Sequence, residues 1–146
     1  LGIDGDSYSL DVGRDRLHGA INSLFARARG FKIDEIVFVV GNDFLNIDRA
    51  NPFNSTTAGT PQNNSVSAYE AYRFGRKLLV QCINALAERA PVRVIVIPGN
   101  HDEESMLHMG DALEALYEKT PHVTVDNSRP LMKAYKYGEC PQRTPT

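Results

Sequence analysis

Tryptophan is absent from the 146 residues, and cysteine occurs twice. Two cysteines, Cys82 and Cys140, cannot build the disulfide framework of a small secreted domain, so a reducing, cytoplasmic setting is expected. The start of the chain lacks the basic stretch, apolar run and small-residue cleavage site of a secretory signal. Long apolar runs are missing as well. The longest, Ile36 to Val40 and Val94 to Ile97, fall far short of the about 18 residues of a membrane span, and no membrane partner is expected. Charge of one sign is not in excess: 16 Lys and Arg against 18 Asp and Glu leave −2. That balance excludes the basic surplus of a general nucleic-acid binder and the acidic block of a solvating tail.

What is present is ordinary for a globular chain, with 42% hydrophobic and 23% charged residues. One domain over 1–146 is expected, able to bury roughly two-thirds of its unfolded surface. The first residue is Leu1 rather than Met, and the chain is expected to be a piece of a longer one.

Helical spacing of Leu17, Ile21, Leu24, Phe25 and Ala28 predicts a helix over about Arg14–Arg29, with Gly30 as its C-terminal cap. Ile36 to Val40 is a continuous apolar run ended by Gly41, which predicts a strand covered on both faces, with helices outside. Residues 42–66 form a long polar stretch, and a loop of that length is functional or a mobile surface insertion. A second helix is expected over Ser67–Ala90, with Tyr72, Leu79, Cys82, Ile83, Leu86 and Ala90 on one face and Pro91 closing it. Cys82 lies on that apolar stripe and reads as a small buried hydrophobe. Val92 to Ile97 predicts a second buried strand. A third helix follows Asp102, with Met106, Met109, Leu113, Leu116 and Tyr117 inward. His122 to Asp126 and Leu131 to Tyr137 read as further strands. The order is that of an α/β protein whose first two strands run parallel.

In such sheets chemistry collects at the carboxyl ends of the strands. Two short motifs lie there: Gly41-Asn42-Asp43 and Gly99-Asn100-His101-Asp102. Asp43 offers a hard anionic oxygen, Asn100 a neutral carbonyl oxygen and His101 an imidazole that titrates near neutrality. These suit divalent metals such as Mg, Mn, Fe or Zn, with His101 placed to protonate a leaving oxygen. The plain structural alternatives are turn formers after each strand and Asp102 as the N-cap of the third helix. Lone histidines rarely ligate metal without partners, so His18, His108 and His122 read as structural or exposed. Lys133, Lys136, Arg73, Arg76 and Lys77 read mostly as solvated surface charges.

Val96-Ile97-Pro98-Gly99-Asn100-His101-Asp102 resembles the Gly-Asn-His-Asp/Glu signature of calcineurin-like metallophosphoesterases. Val39-Val40-Gly41-Asn42-Asp43 is similar to the Gly-Asp block that precedes it, with an Asn between the two residues. Thr57 to Gln62 and Val125 to Ser128 resemble a subgroup frequent in phage and bacterial genomes. The resemblance implies an α/β/β/α sandwich with two divalent metal ions at the strand ends. It implies hydrolysis of phosphomonoesters or phosphodiesters, nucleotides or nucleic acid among the candidate substrates, by a metal-activated water. It makes Asp43 the bridging carboxylate and Asn100 a ligand of the second metal. His101 becomes the residue that steadies the transition state or protonates the leaving group, and Asp102 the acidic end of the signature, an orienting group. The family's opening Asp-x-His and closing Gly-His-x-His have no counterparts; Asp4-Gly5-Asp6 has the spacing but lacks the His. A partial domain, with the middle of the site but not its ends, is therefore expected.

Two other classes compete. Gly5-Asp6-Ser7 and Gly41-Asn42-Asp43 resemble blocks of the Ser-Gly-Asn-His esterases, with Ser7 as nucleophile, but the single Asp-x-x-His, Asp15 to His18, lies on the first helix rather than near the C-terminus, in the wrong order for such a site. A partial domain of the phosphoesterase type could instead bind a partner without turnover.

Overall fold

Ser67 starts the best-specified helix. Its hydroxyl accepts the Glu70 amide at 3.2 Å, and the Glu70 carboxylate accepts the Ser67 amide at 3.0 Å, a reciprocal capping box. Capped in this way, helix α2 spans Ala68–Ala87. Ser9 caps α1 (Leu10–Arg27) by accepting the Val12 amide, and Gly30, at φ +90°, turns the chain away beyond its end. The remaining elements are β1 (Ile36–Gly41), β2 (Val92–Ile97), α3 (Glu103–Tyr117) and β3 (Val123–Asp126). The structure, a computed structural model, describes residues 9–51, 53–128 and 132–135.

The strands form one parallel sheet in the order β1-β2-β3, with Val40 opposite Val96 and Val92 opposite Val123. Right-handed crossovers between successive parallel neighbours carry both connecting helices over the same face. The core has that arrangement. Val40, Val92, Val94, Val96 and Val123 meet Leu79, Ile83 and Leu86 of α2 and Met106, Met109, Leu113 and Tyr117 of α3. The Tyr117 hydroxyl, at the margin of this core, donates to Asn84 Oδ1 at 2.8 Å. Helix α1 buries no residue fully; Ile21 and Phe25 lean on the core's edge while Leu24 is exposed.

Three expectations need correction. The apolar run of β1 predicts cover on both faces, yet β1 is an edge strand among the described residues and Val39 is 50% exposed. Its central neighbour Ile95, on the same face, is buried. Apolar continuity cannot distinguish the two positions, because it reflects the residues and not what stacks on them. Leu116, expected inward, is exposed, since the stripe of α3 runs instead through Gly110, Leu113 and Tyr117. Residues 132–135 form no strand: the Lys133 ammonium donates to the Asp126 main-chain oxygen and carboxylate at 2.9 Å, and the Tyr135 hydroxyl donates to the same carboxylate. Leu131, Lys136 and Tyr137 lie outside the described residues.

Leu113→Ala removes a fully buried side chain between α3 and the sheet and should lower unfolding free energy by about 2–5 kcal/mol in urea titrations. Leu116→Ala should stay within about 0.5 kcal/mol of the parent.

Candidate active site

Strand β1 ends at Gly41, whose φ of +125° and closeness to the Ile97 carbonyl leave no room for a Cβ. The turn that follows puts Asp43 in the left-handed region at φ +60°. Strand β2 ends one turn away, and a Cβ on Gly99 would overlap both the carboxylate and the amide of Asp43. The two strand-end turns are therefore in direct contact. The His101 amide donates to Asp43 Oδ1 at 2.9 Å, closing the junction.

Asp102 lies beneath it, fully buried. One carboxylate oxygen accepts the Leu45 amide at 2.7 Å, from the turn after β1, and the other accepts the Gly99 amide at 2.9 Å, from the turn after β2. Burial raises its pKa, the two amide bonds oppose that, and the nearby charges of Asp43 and Asp48 add to it. Asp102 holds the N-cap position of α3 but makes no capping bond. Its oxygens face the two turns, and it acts on the site by holding them.

Capping of α3 falls to the long loop. Asp48 accepts the Glu104 amide at 2.9 Å and the Ser105 amide at 2.7 Å, and Thr57 Oγ1 accepts the Glu103 amide at 3.0 Å. The Thr57 hydroxyl donates to Asp48 at 2.6 Å, so both caps form one unit. Burial works against ionisation of Asp48, yet hydrogen bonds from Ser105, Thr57 and Glu104 outweigh it and hold the pKa below the usual carboxylate value. Bridges of Arg49 with Ser55 and of Ser55 with Pro61 fold the loop on itself, with Ser55 and Thr56 buried. The exposed Arg49–Glu104 ion pair adds little.

His101 is half-buried, with Nδ1 3.3 Å from the Asn46 carbonyl oxygen and 3.2 Å from Asn46 Oδ1. Asn100 sits exposed between Gly99 and His101. A cleft of about 750 Å³ opens beside Asp43, lined by Asn42, Asp43 and Asn64 as well as Leu17, Phe74 and Leu78, but not by Asn100 or His101.

The fold thus gathers Asp43, Asn100, His101 and Asp102 at the carboxyl end of two adjacent parallel strands. His122 stands at the opposite end of the sheet, where its carbonyl accepts the Val92 amide. His108 is exposed on α3, and His18 lines a shallow cavity with Cys82. Burial pushes the Cys82 thiol up to about 11, which leaves it protonated and a poor nucleophile. Asp4, Gly5, Asp6, Ser7 and Cys140 lie outside the described residues. Sequence reasoning missed Asn46, Asp48, Thr57 and Asn64; the one signal was the density of Asn and Thr in a loop of that length.

Asp43 and Asn100 have the chemistry of part of a shell for a hard divalent cation, a carboxylate and an amide oxygen on touching turns. Among the described residues no group of three or more His, Cys, Asp or Glu gathers to complete a cage. Comparison with protein-family models, with curated proteins and with solved structures finds no match.

The Asp48 caps have a pH signature. Its folded pKa lies below the ordinary 3.8, so its ionised form contributes stability above that value, and the contribution disappears as pH falls through the folded pKa. Asp102, raised above 3.8, has the opposite sense: its contribution is present at low pH and lost as pH rises through its folded pKa. Asp48→Asn should flatten the acid limb of urea midpoints below about pH 5 relative to the parent. An unchanged slope would remove Asp48 from this role.

Proposed function

We propose that the chain is the core of a metal-dependent phosphoesterase of the calcineurin-like type, with the α/β/β/α sandwich that this type implies. Its substrates would be phosphomonoesters or phosphodiesters, nucleotides or nucleic acid among them. The observation that carries this reading is the locking together of the Gly41-Asn42-Asp43 and Gly99-Asn100-His101-Asp102 turns by one buried carboxylate. A helix cap or an ordinary turn does not need both motifs in contact, and a phosphoester site does.

Divalent metal ions, when bound, supply charge stabilisation for the phosphoryl oxygens and an acidified water. Asp43 and Asn100 would hold part of that shell. His101, one residue beyond Asn100, would steady the transition state or give a proton to the departing oxygen as the ester bond breaks. Asp102 keeps the two turns in register, so that acid and ligands keep their spacing. The cleft beside Asp43 would take the organic part of the ester.

A second reading, binding without turnover, is favoured by the incomplete cage among the described residues. Hydrolysis of bis-para-nitrophenyl phosphate with Mn²⁺ separates the two. On the enzyme reading, EDTA abolishes turnover, and His101→Ala lowers kcat/KM by about 10²–10⁴ with folding intact. Robust turnover that survives His101→Ala would remove the acid role from His101. No EDTA-sensitive turnover, with a nucleotide still retained, would establish the binding reading.

A further inference from the structure

The loop that follows β1 reaches His101 by a second route. Asn46 Nδ2 donates to Asn64 Oδ1 at 2.6 Å. With its amide nitrogen held there, Asn46 turns its own Oδ1 toward the imidazole, 3.2 Å from Nδ1. The Asn46 main-chain oxygen lies 3.3 Å from the same nitrogen. A carbonyl oxygen can only accept, so both contacts are satisfied only when Nδ1 carries the hydrogen. In the neutral ring the lone pair is then on Nε2, and in the cation Nε2 is the nitrogen with a proton left to give.

We infer that Asn64 is a positioning residue: acting through Asn46, it fixes His101 as the Nδ1–H tautomer and leaves Nε2 as the working nitrogen. This gives the long polar loop a task. Its first part caps α3 through Asp48 and Thr57, directly after His101 in the chain, and its last part sets the ring through Asn64. The relay consists of neutral amides, so it orients the imidazole without adding a charge beside it. What the working nitrogen does depends on the phosphoesterase reading; how the ring is held does not.

The test reads the ring directly, on the metal-free 146-residue chain at a pH where imidazoles are neutral. Long-range proton–nitrogen correlation spectra distinguish a protonated from a lone-pair ring nitrogen, and His101→Gln assigns the His101 signals among the four histidines. The parent should show a protonated Nδ1 and a lone-pair Nε2. Asn64→Ala should lower the ratio of Nδ1–H to Nε2–H tautomer by about fivefold, the factor that one neutral hydrogen bond is worth. Asn64→Asp keeps an acceptor for Asn46 Nδ2 and should restore the parent ratio, which a general loosening of the loop would not do. Asn46→Leu, which removes the side-chain acceptor but not the carbonyl, should match Asn64→Ala. A parent ring with the hydrogen on Nε2, or an Asn64→Ala ring indistinguishable from the parent, overturns the inference. The spectra need no turnover, so failure of the phosphoesterase assay with the expected tautomer intact would reject the function and leave the positioning role standing.

Discussion

Both oxygens of one buried carboxylate are spent on joining two loops. Asp102 accepts an amide from the turn after β1 and another from the turn after β2, with no exposure to solvent. An unpaired charge at that depth would be costly, and burial does raise its pKa. The two amides are the local compensation, and they come from segments far apart in sequence. The contact between Asp43 and His101 depends on that junction. Asp43 can accept the His101 amide only while the two turns touch, and they touch only because Gly99 has no Cβ.

The same junction explains an exchange of roles at the start of α3. A helix leaves its first amides without internal partners, and the residue at the N-cap ordinarily takes one of them. Asp102 occupies that position but faces inward. Asp48 and Thr57, more than forty residues earlier in the chain, accept the Glu103, Glu104 and Ser105 amides instead. The long loop is thus tied to the helix at the point where His101 leaves the sheet. Ser55 and Thr56, polar residues in a polar stretch, are buried as a result.

Much of the fold was legible in the residues themselves. The α2 stripe of Leu79, Cys82, Ile83 and Leu86 is the buried face, Ser67 caps that helix, which ends at Ala87 rather than running on to Ala90, and the runs at Ile36 and Val92 are the paired parallel strands. Periodicity and end signals are local, and tertiary contacts here agree with them. The errors occur where burial depends on neighbours that the chain does not name locally. Val39 and Ile95 are both apolar, share a sheet face and differ in exposure, because β1 is at the edge and β2 at the centre. Residues 132–135 have strand-like composition, but Lys133 and Tyr135 are bound to Asp126 and form no ladder.

For the candidate site, the sequence by itself determined the ingredients: which residues end β1 and β2, that a carboxylate, an amide and an imidazole stand there, and that glycines let the backbone turn. Those facts follow from residue type and from distance along the chain. Only the tertiary structure decided the roles. Asp102 became the tie and Asp48 the cap, and Asn46 and Asn64 became the support of His101, because hydrogen-bond partners are chosen by proximity in space. Asp and Asn can serve as cap, turn former or ligand with equal ease. Which of these each residue becomes is settled by the amides that the folded chain brings within 3 Å of it.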